Sequence, residues 1–270
     1  MIRVELAKLL RRPRTWVSVL LLCLLPAIVA VFLATTHVGP RPGEGPAFLS
    51  SVLSDGKLYP AAALGIVLPI FLPIAVCVLA GDAVAGEASS GTLRYLLLRP
   101  VSRSRLLVAK LLTIMTFTLL AVGLVALTAY LVGVELFPPQ PGSPPVTVSG
   151  TPLTGNEILG RTVLTILYVG WSMLGVAAIA LFLSTLVESS LGAALGALAA
   201  LVLSEVLVTL DAAHAVRDYL PTRYWLAWVD FFRDPILWHD ITRGVLVQGG
   251  YVVVLLGMSW ANFLTRDVSG

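Results

Sequence analysis

Residues Trp16 to Thr36 read WVSVLLLCLLPAIVAVFLATT, without a single charge. A helix rises about 1.5 Å per residue and a bilayer's hydrocarbon layer is about 30 Å thick, so about 20 apolar residues suffice to cross it. The stretch is too long for the h-region of a secretory signal, which runs about 7–15 residues, and Ala34-Thr35-Thr36 is a poor cleavage site. It therefore reads as a retained membrane helix. Five further runs of the same kind follow: Pro60–Ala80, Leu106–Val132, Thr162–Ser184, Leu191–Leu210 and Gly244–Leu264. They are continuous and lack the alternation of a barrel strand, so the fold class is an all-α membrane protein with six transmembrane helices in one domain, 1–270.

Composition agrees. Of the 270 residues 57% are hydrophobic and 12% charged, where a soluble domain carries about 25% charge, and the mean hydropathy is +0.92. Such a chain has too little polar surface to face water all round. The net charge is only +3, with no basic block of the kind that binds nucleic acid. Cys23 and Cys77 both lie inside apolar runs, with no Cys or His spacing that would suggest a metal. No HExxH, GxSxG or Ser/His/Asp set points to an enzyme, and His37, His214 and His239 are dispersed.

With the N-terminus inside, the inner segments hold 11 Lys and Arg and the outer ones 7. The positive-inside rule then puts both termini in the cytoplasm. Residues 1–14 begin with Ile2, Leu6, Leu9 and Leu10 on one helical face and Arg3, Lys8, Arg11 and Arg12 mostly elsewhere. That pattern predicts an amphipathic helix lying in the membrane interface, or else a basic flank that sets topology. Residues 137–160 are rich in Pro, Gly and Ser and predict an extended outer loop. Residues 211–242 are aromatic. Trp225, Trp228, Val229 and Phe232 fall on one helical face, with Thr222 as a candidate N-cap. They predict outer-leaflet helices between the fifth and sixth spans, serving as an interfacial anchor or as a gate. Pro69 and Pro73 are placed to kink the second span, and Pro26 the first. Glu205 is a carboxylate inside the fifth span, a pathway candidate or a hydrated group near the outer boundary. Gly192 and Gly196 form a GxxxG suited to close helix packing.

The most informative connection is cytoplasmic by this topology. Residues 82–105 contain Gly86-Glu87, then Gly91-Thr92-Leu93-Arg94, then Pro100-Val101-Ser102-Arg103, with Lys110 in the next helix. Gly91 supplies a turn, Thr92 a cap, and Leu93, Leu96 and Leu97 an apolar face, while Pro100 stops the helix. A folded elbow of this kind exceeds what a connector needs. This pattern resembles the signature of ABC-2 type permeases, above all short six-helix ones. The resemblance implies that the elbow is a cytoplasmic coupling helix set against a separate ATPase. It further implies that two ATPase subunits and a second permease copy complete the complex, and that Glu87 and Arg103 dock the ATPase or hold the elbow to the helices. The fifth helix, with Gly192 and Gly196, would help form the seam between copies. It also places the protein in a bacterial cytoplasmic membrane, exporting a hydrophobic or amphipathic cargo. The chain itself has no GxxxxGK[ST]; at Gly81–Gly86 the Lys is replaced by Glu87, so ATP and Mg belong to the partner ATPase. A secondary transporter or a non-transporting six-helix membrane scaffold is the competing reading, but for the transporter no internal repeat is evident and intramembrane ionisable residues are few.

Overall fold

The computed structural model describes residues 2–36, 52, 55–89, 103–139 and 145–265. Helix α1 (Ile2–Arg11) is followed almost directly by α2 (Pro13–Thr36). The second crossing is made by α3 (Tyr59–Val67) and α4 (Phe71–Gly81), and a short α5 (Ala85–Ser89) begins the elbow. Then come α6 (Arg103–Leu136), α7 (Gly155–Leu186), α8 (Ser190–Thr209), a one-turn α9 (His214–Arg217) and α10 (Trp238–Thr265). Among the described residues the β pairing is a single bridge between Val146 and Pro152.

Five helices (α2, α6, α7, α8 and α10) are long and apolar enough to cross a membrane, and the chain is a multi-pass membrane protein. The second span departs from the continuous Pro60–Ala80 helix expected of it. Its two halves are bent by 57° across Leu68, Pro69 and Ile70. Neither Pro69 nor Pro73 has an N–H to give the helix ladder, so the break falls where two donors are missing four residues apart. Counted as one span, the pair makes a sixth crossing. Pro26, in contrast, sits inside an unbroken α2.

Helix α3 is almost wholly enclosed. Eight of its nine residues are buried, and its Tyr59 hydroxyl donates to the Pro26 carbonyl of α2. Its entry is fixed by the Gly56 N–H, which donates to the Phe137 carbonyl at 3.0 Å. A side chain on Gly56 would run into the Gly133 carbonyl of α6, so two helices touch there backbone to backbone. Gly81 plays the same part at the other end of the span, where an added Cβ would meet the Ala194 nitrogen of α8 at 2.9 Å.

Three boundaries differ from the sequence reading. Helix α7 starts at Gly155, inside the stretch expected as loop, because Thr154 and Glu157 form a reciprocal capping box. Helix α6 runs past both expected ends. The aromatic segment forms a 3-10 helix, Trp225–Phe232, with Trp225, Trp228, Phe231 and Phe232 buried. Thr222 does not cap it, because its hydroxyl is 2.8 Å from that of Ser204 on α8. This segment is an aromatic plug bonded into one end of the bundle. The Tyr168 hydroxyl of α7 donates to the Tyr224 carbonyl at 2.8 Å, Gln248 of α10 donates to the Pro221 carbonyl at 2.6 Å, and the Val148 N–H donates to the Phe232 carbonyl at 2.9 Å.

Candidate functional site

At the opposite end of the bundle, charges that a membrane protein would normally expose are gathered inside. Lys110 lies seven residues into α6 and is only 3% exposed. Its ammonium sits 2.8 Å from Glu87 on α5 and 3.9 Å from Glu5 on α1. Lys8, one turn after Glu5, bonds Glu5 at 2.9 Å and Glu87 at 3.4 Å. Two acids thus face two bases, and the cluster is neutral. A second pairing lies beside it, where Arg12 reaches Asp82 at 2.9 Å and Arg14 approaches the same carboxylate at 3.8 Å. A cavity of about 40 Å³ remains among Glu5, Lys8, Asp82, Glu87 and Lys110.

The sequence builds this cluster from four separate pieces. Glu5, Lys8 and Arg12 are spaced to form one stripe on α1 and its end. That stripe, with the buried Leu9, faces the bundle, while Val4 and Leu10 are 58% and 48% exposed. That stripe turns toward Asp82, Glu87 and Lys110, which offer it partners, while Arg11 stays exposed. Asp82 ends α4, and Gly86 makes room for it, since a Cβ at Gly86 would collide with the Asp82 carboxylate. Burial lowers the Lys8 pKa, but the bonds and charges of Glu5 and Glu87 outweigh it and leave it raised above the ordinary value. A lysine as buried as Lys110 is tolerated only when paired.

Ser184, near the end of α7, holds the other side of the same turn. Its hydroxyl donates to the Gly81 carbonyl at 2.7 Å and accepts from the Val84 and Ala85 N–H groups at 3.1 and 2.9 Å. One side chain thus satisfies backbone groups on both sides of the turn between α4 and α5.

Of the residues singled out from sequence, Gly86 and Glu87 lie in this cluster, and Glu87 is buried at 8% exposure. Gly91, Thr92, Leu93, Arg94, Pro100, Val101 and Ser102 lie outside the described residues. Arg103 opens α6. Gly192 is exposed on α8, and Gly196 faces Leu183 of α7, where an added Cβ would come within 3.3 Å. Glu205 is exposed on the same helix, away from the cluster. Sequence reading missed Glu5, Lys8, Arg12, Asp82 and Ser184. The signals for the first three are their helical spacing and the ionisable Lys110 inside a span, which needs a partner.

A family model, described as ABC-2 family transporter protein, matches residues 1–211. The chain belongs to the ABC-2 transporter family. The matched region takes in α1 through α8 and the whole charged cluster. No curated protein matches the chain. Family membership makes it a permease, a membrane transport component of an ABC transporter, and the cluster lies where residues 82–89 leave the bundle.

Proposed function

We propose that this ABC-2 permease is half of a transmembrane exporter that crosses the bacterial cytoplasmic membrane six times and is driven by ATP and Mg on separate ATPase subunits. In this reading α3 and α4 count as one crossing, both termini are cytoplasmic, and residues 82–105 form the coupling elbow. Gly91, Thr92, Leu93, Arg94, Pro100, Val101, Ser102 and Arg103 shape or present the surface that the ATPase grips. Glu87, turned inward onto Lys110, holds the elbow to the bundle rather than touching the ATPase. A second permease copy, identical or paralogous, pairs along α8 near Gly192 and Gly196, and two ATPases dock beneath. The cargo is hydrophobic or amphipathic, and Glu205, exposed on α8, lines its pathway.

The observation that supports this best is the ionic cluster itself. An elbow that only connected two helices would need no buried lysine to secure it. Where an outside force acts on a turn, a bonded root transmits displacement and a loose one absorbs it. The test is purification from membranes in mild detergent with native neighbours co-expressed, followed by mass spectrometry and an ATPase assay. A stoichiometric ATPase whose activity falls when Gly91 or Arg103 is replaced by a bulky or acidic residue supports the reading. A permease that purifies alone, or an ATPase indifferent to both changes, overturns it.

A further inference from the structure

The elbow is fastened to two different parts of the bundle. The ionic cluster ties it to α1 and α6, and Ser184 ties it to α7. The second attachment continues by hydrogen bonds toward the far end of the molecule. Next to Ser184, the Thr185 carbonyl accepts from the Asn262 amide of α10 at 2.9 Å. Further along, the Trp171 indole N–H of α7 donates to the Val245 carbonyl of α10 at 3.1 Å. The Gln248 side chain of α10 fits against Gly175 of α7 so closely that a Cβ there would strike its amide oxygen. Helices α7 and α10 are thus bonded to each other at the Ser184 end and again at the middle of α7.

The same two helices hold the aromatic plug. Tyr168 of α7 donates to the Tyr224 carbonyl, and Gln248 of α10 donates to the Pro221 carbonyl. From Ser184 to Tyr168 is 16 residues and from Asn262 to Gln248 is 14, about 24 and 21 Å by helical rise. A pair of cross-bonded helices that is pinned to the elbow at one end and to the plug at the other moves as a rod.

We infer that Ser184 is a positioning residue, the joint through which the elbow drives α7 and α10 as one body and so shifts the Trp225–Phe232 plug. This rests on the coupling role proposed above for the elbow. Ser184 suits a joint because its hydroxyl spans the turn, gripping Gly81 on one side and Val84 and Ala85 on the other. When the turn rotates, both sides pull on one atom. An alanine there removes the hydrogen bonds between the turn and α7 while leaving the Val84–Leu181 packing, the ionic cluster and the elbow's own surface untouched.

The experiment uses the whole permease–ATPase complex, with Cys23 and Cys77 replaced. Spin labels are placed at Phe32 on α2 and Tyr219 beside the plug, which are 61% and 72% exposed. Their separation within one copy is measured by pulsed EPR without nucleotide and after trapping with ADP and vanadate. The parent is expected to show a trapping-dependent shift. Ser184→Ala should lose more than half of it while the ATPase co-purifies at the parent ratio. Ser184→Thr, which keeps the hydroxyl, should retain it. Asn262→Ala, which removes the α7–α10 bond nearest the joint without touching the elbow, should also diminish the shift, and it decides the matter alone if Ser184→Ala fails to assemble. A full shift in Ser184→Ala, or in Asn262→Ala when only that assembles, overturns the joint. So does a parent with bound ATPase and no shift. Failure of the ATPase to co-purify with the parent overturns the coupling reading beneath it.

Discussion

Lys110 and Glu87 show how a charge pair buried at a membrane end differs from one on a surface. Breaking a buried pair leaves an uncompensated charge, whereas removing both partners can be nearly neutral. Lys110→Met, which leaves Glu5 and Glu87 sharing Lys8, should therefore cost up to about 3–5 kcal/mol and clearly lower the melting temperature of the detergent-purified protein. The double change Glu87→Met, Lys110→Met should recover most of that loss, because Glu5 and Lys8 still pair at 2.9 Å. If the double variant melts as low as the single one, the two residues are not coupled. Lys8 adds a pH dependence with a definite sign. Its pKa is raised in the folded protein, so its contribution is complete below the ordinary value of 10.5 and is lost as pH climbs through the folded value. Melting curves of the parent should then fall more steeply above pH 10.5 than those of Lys8→Met. Sequence alone exposed Glu87 and Lys110 as parts of the pattern that resembles ABC-2 permeases. It could not pair them with α1, since Lys8 and Glu87 meet across 79 positions of chain, and no periodicity reports a contact of that range.

Helices were the most legible scale. Runs of apolar residues gave every long span, because length and lack of charge are what the bilayer selects. The ends were harder. The Thr154 capping box is written in the sequence but hides in a stretch dominated by prolines, and the aromatic segment's spacing fits an α-helix until Ser204 draws Thr222 away. Pro69 and Pro73 announced a bend in the second span without its size, which depends on how α3 is enclosed. The glycines divide the same way. Gly56→Ala should fail to fold, read as lost monodisperse yield on size exclusion, because its Cβ meets the fixed backbone of Gly133. Gly192→Ala should fold normally, because the nearest atom is its own neighbour Ser189 at 3.4 Å. Gly192→Leu, equally free of clashes within the chain's core, should weaken capture of one tagged copy by another. Undiminished capture would remove Gly192 from the seam.

At the scale of the whole molecule the two ends are chemically opposite, one ionic and one aromatic, with α7 and α10 running between them. With six crossings and a cytoplasmic N-terminus, as proposed above, Ser89 lies inside and Tyr219 outside, and both are exposed. In a background without Cys23 and Cys77, a membrane-impermeant thiol reagent added to intact cells should label Tyr219→Cys and leave Ser89→Cys untouched until the membrane is opened. Labelling of Ser89→Cys and not of Tyr219→Cys from outside would mean that the bent α3 and α4 pair is a re-entrant loop. The aromatic plug also gives the protein an optical signal of its own. Of its six tryptophans, Trp225 and Trp228 are the buried ones, at 6% and 0% exposure, whereas Trp16, Trp238 and Trp260 are about half exposed. Their emission should be the bluest in the spectrum and the last to be quenched by acrylamide. Loosening of that end would therefore be visible as a red shift in unlabelled protein, during turnover, in a cuvette.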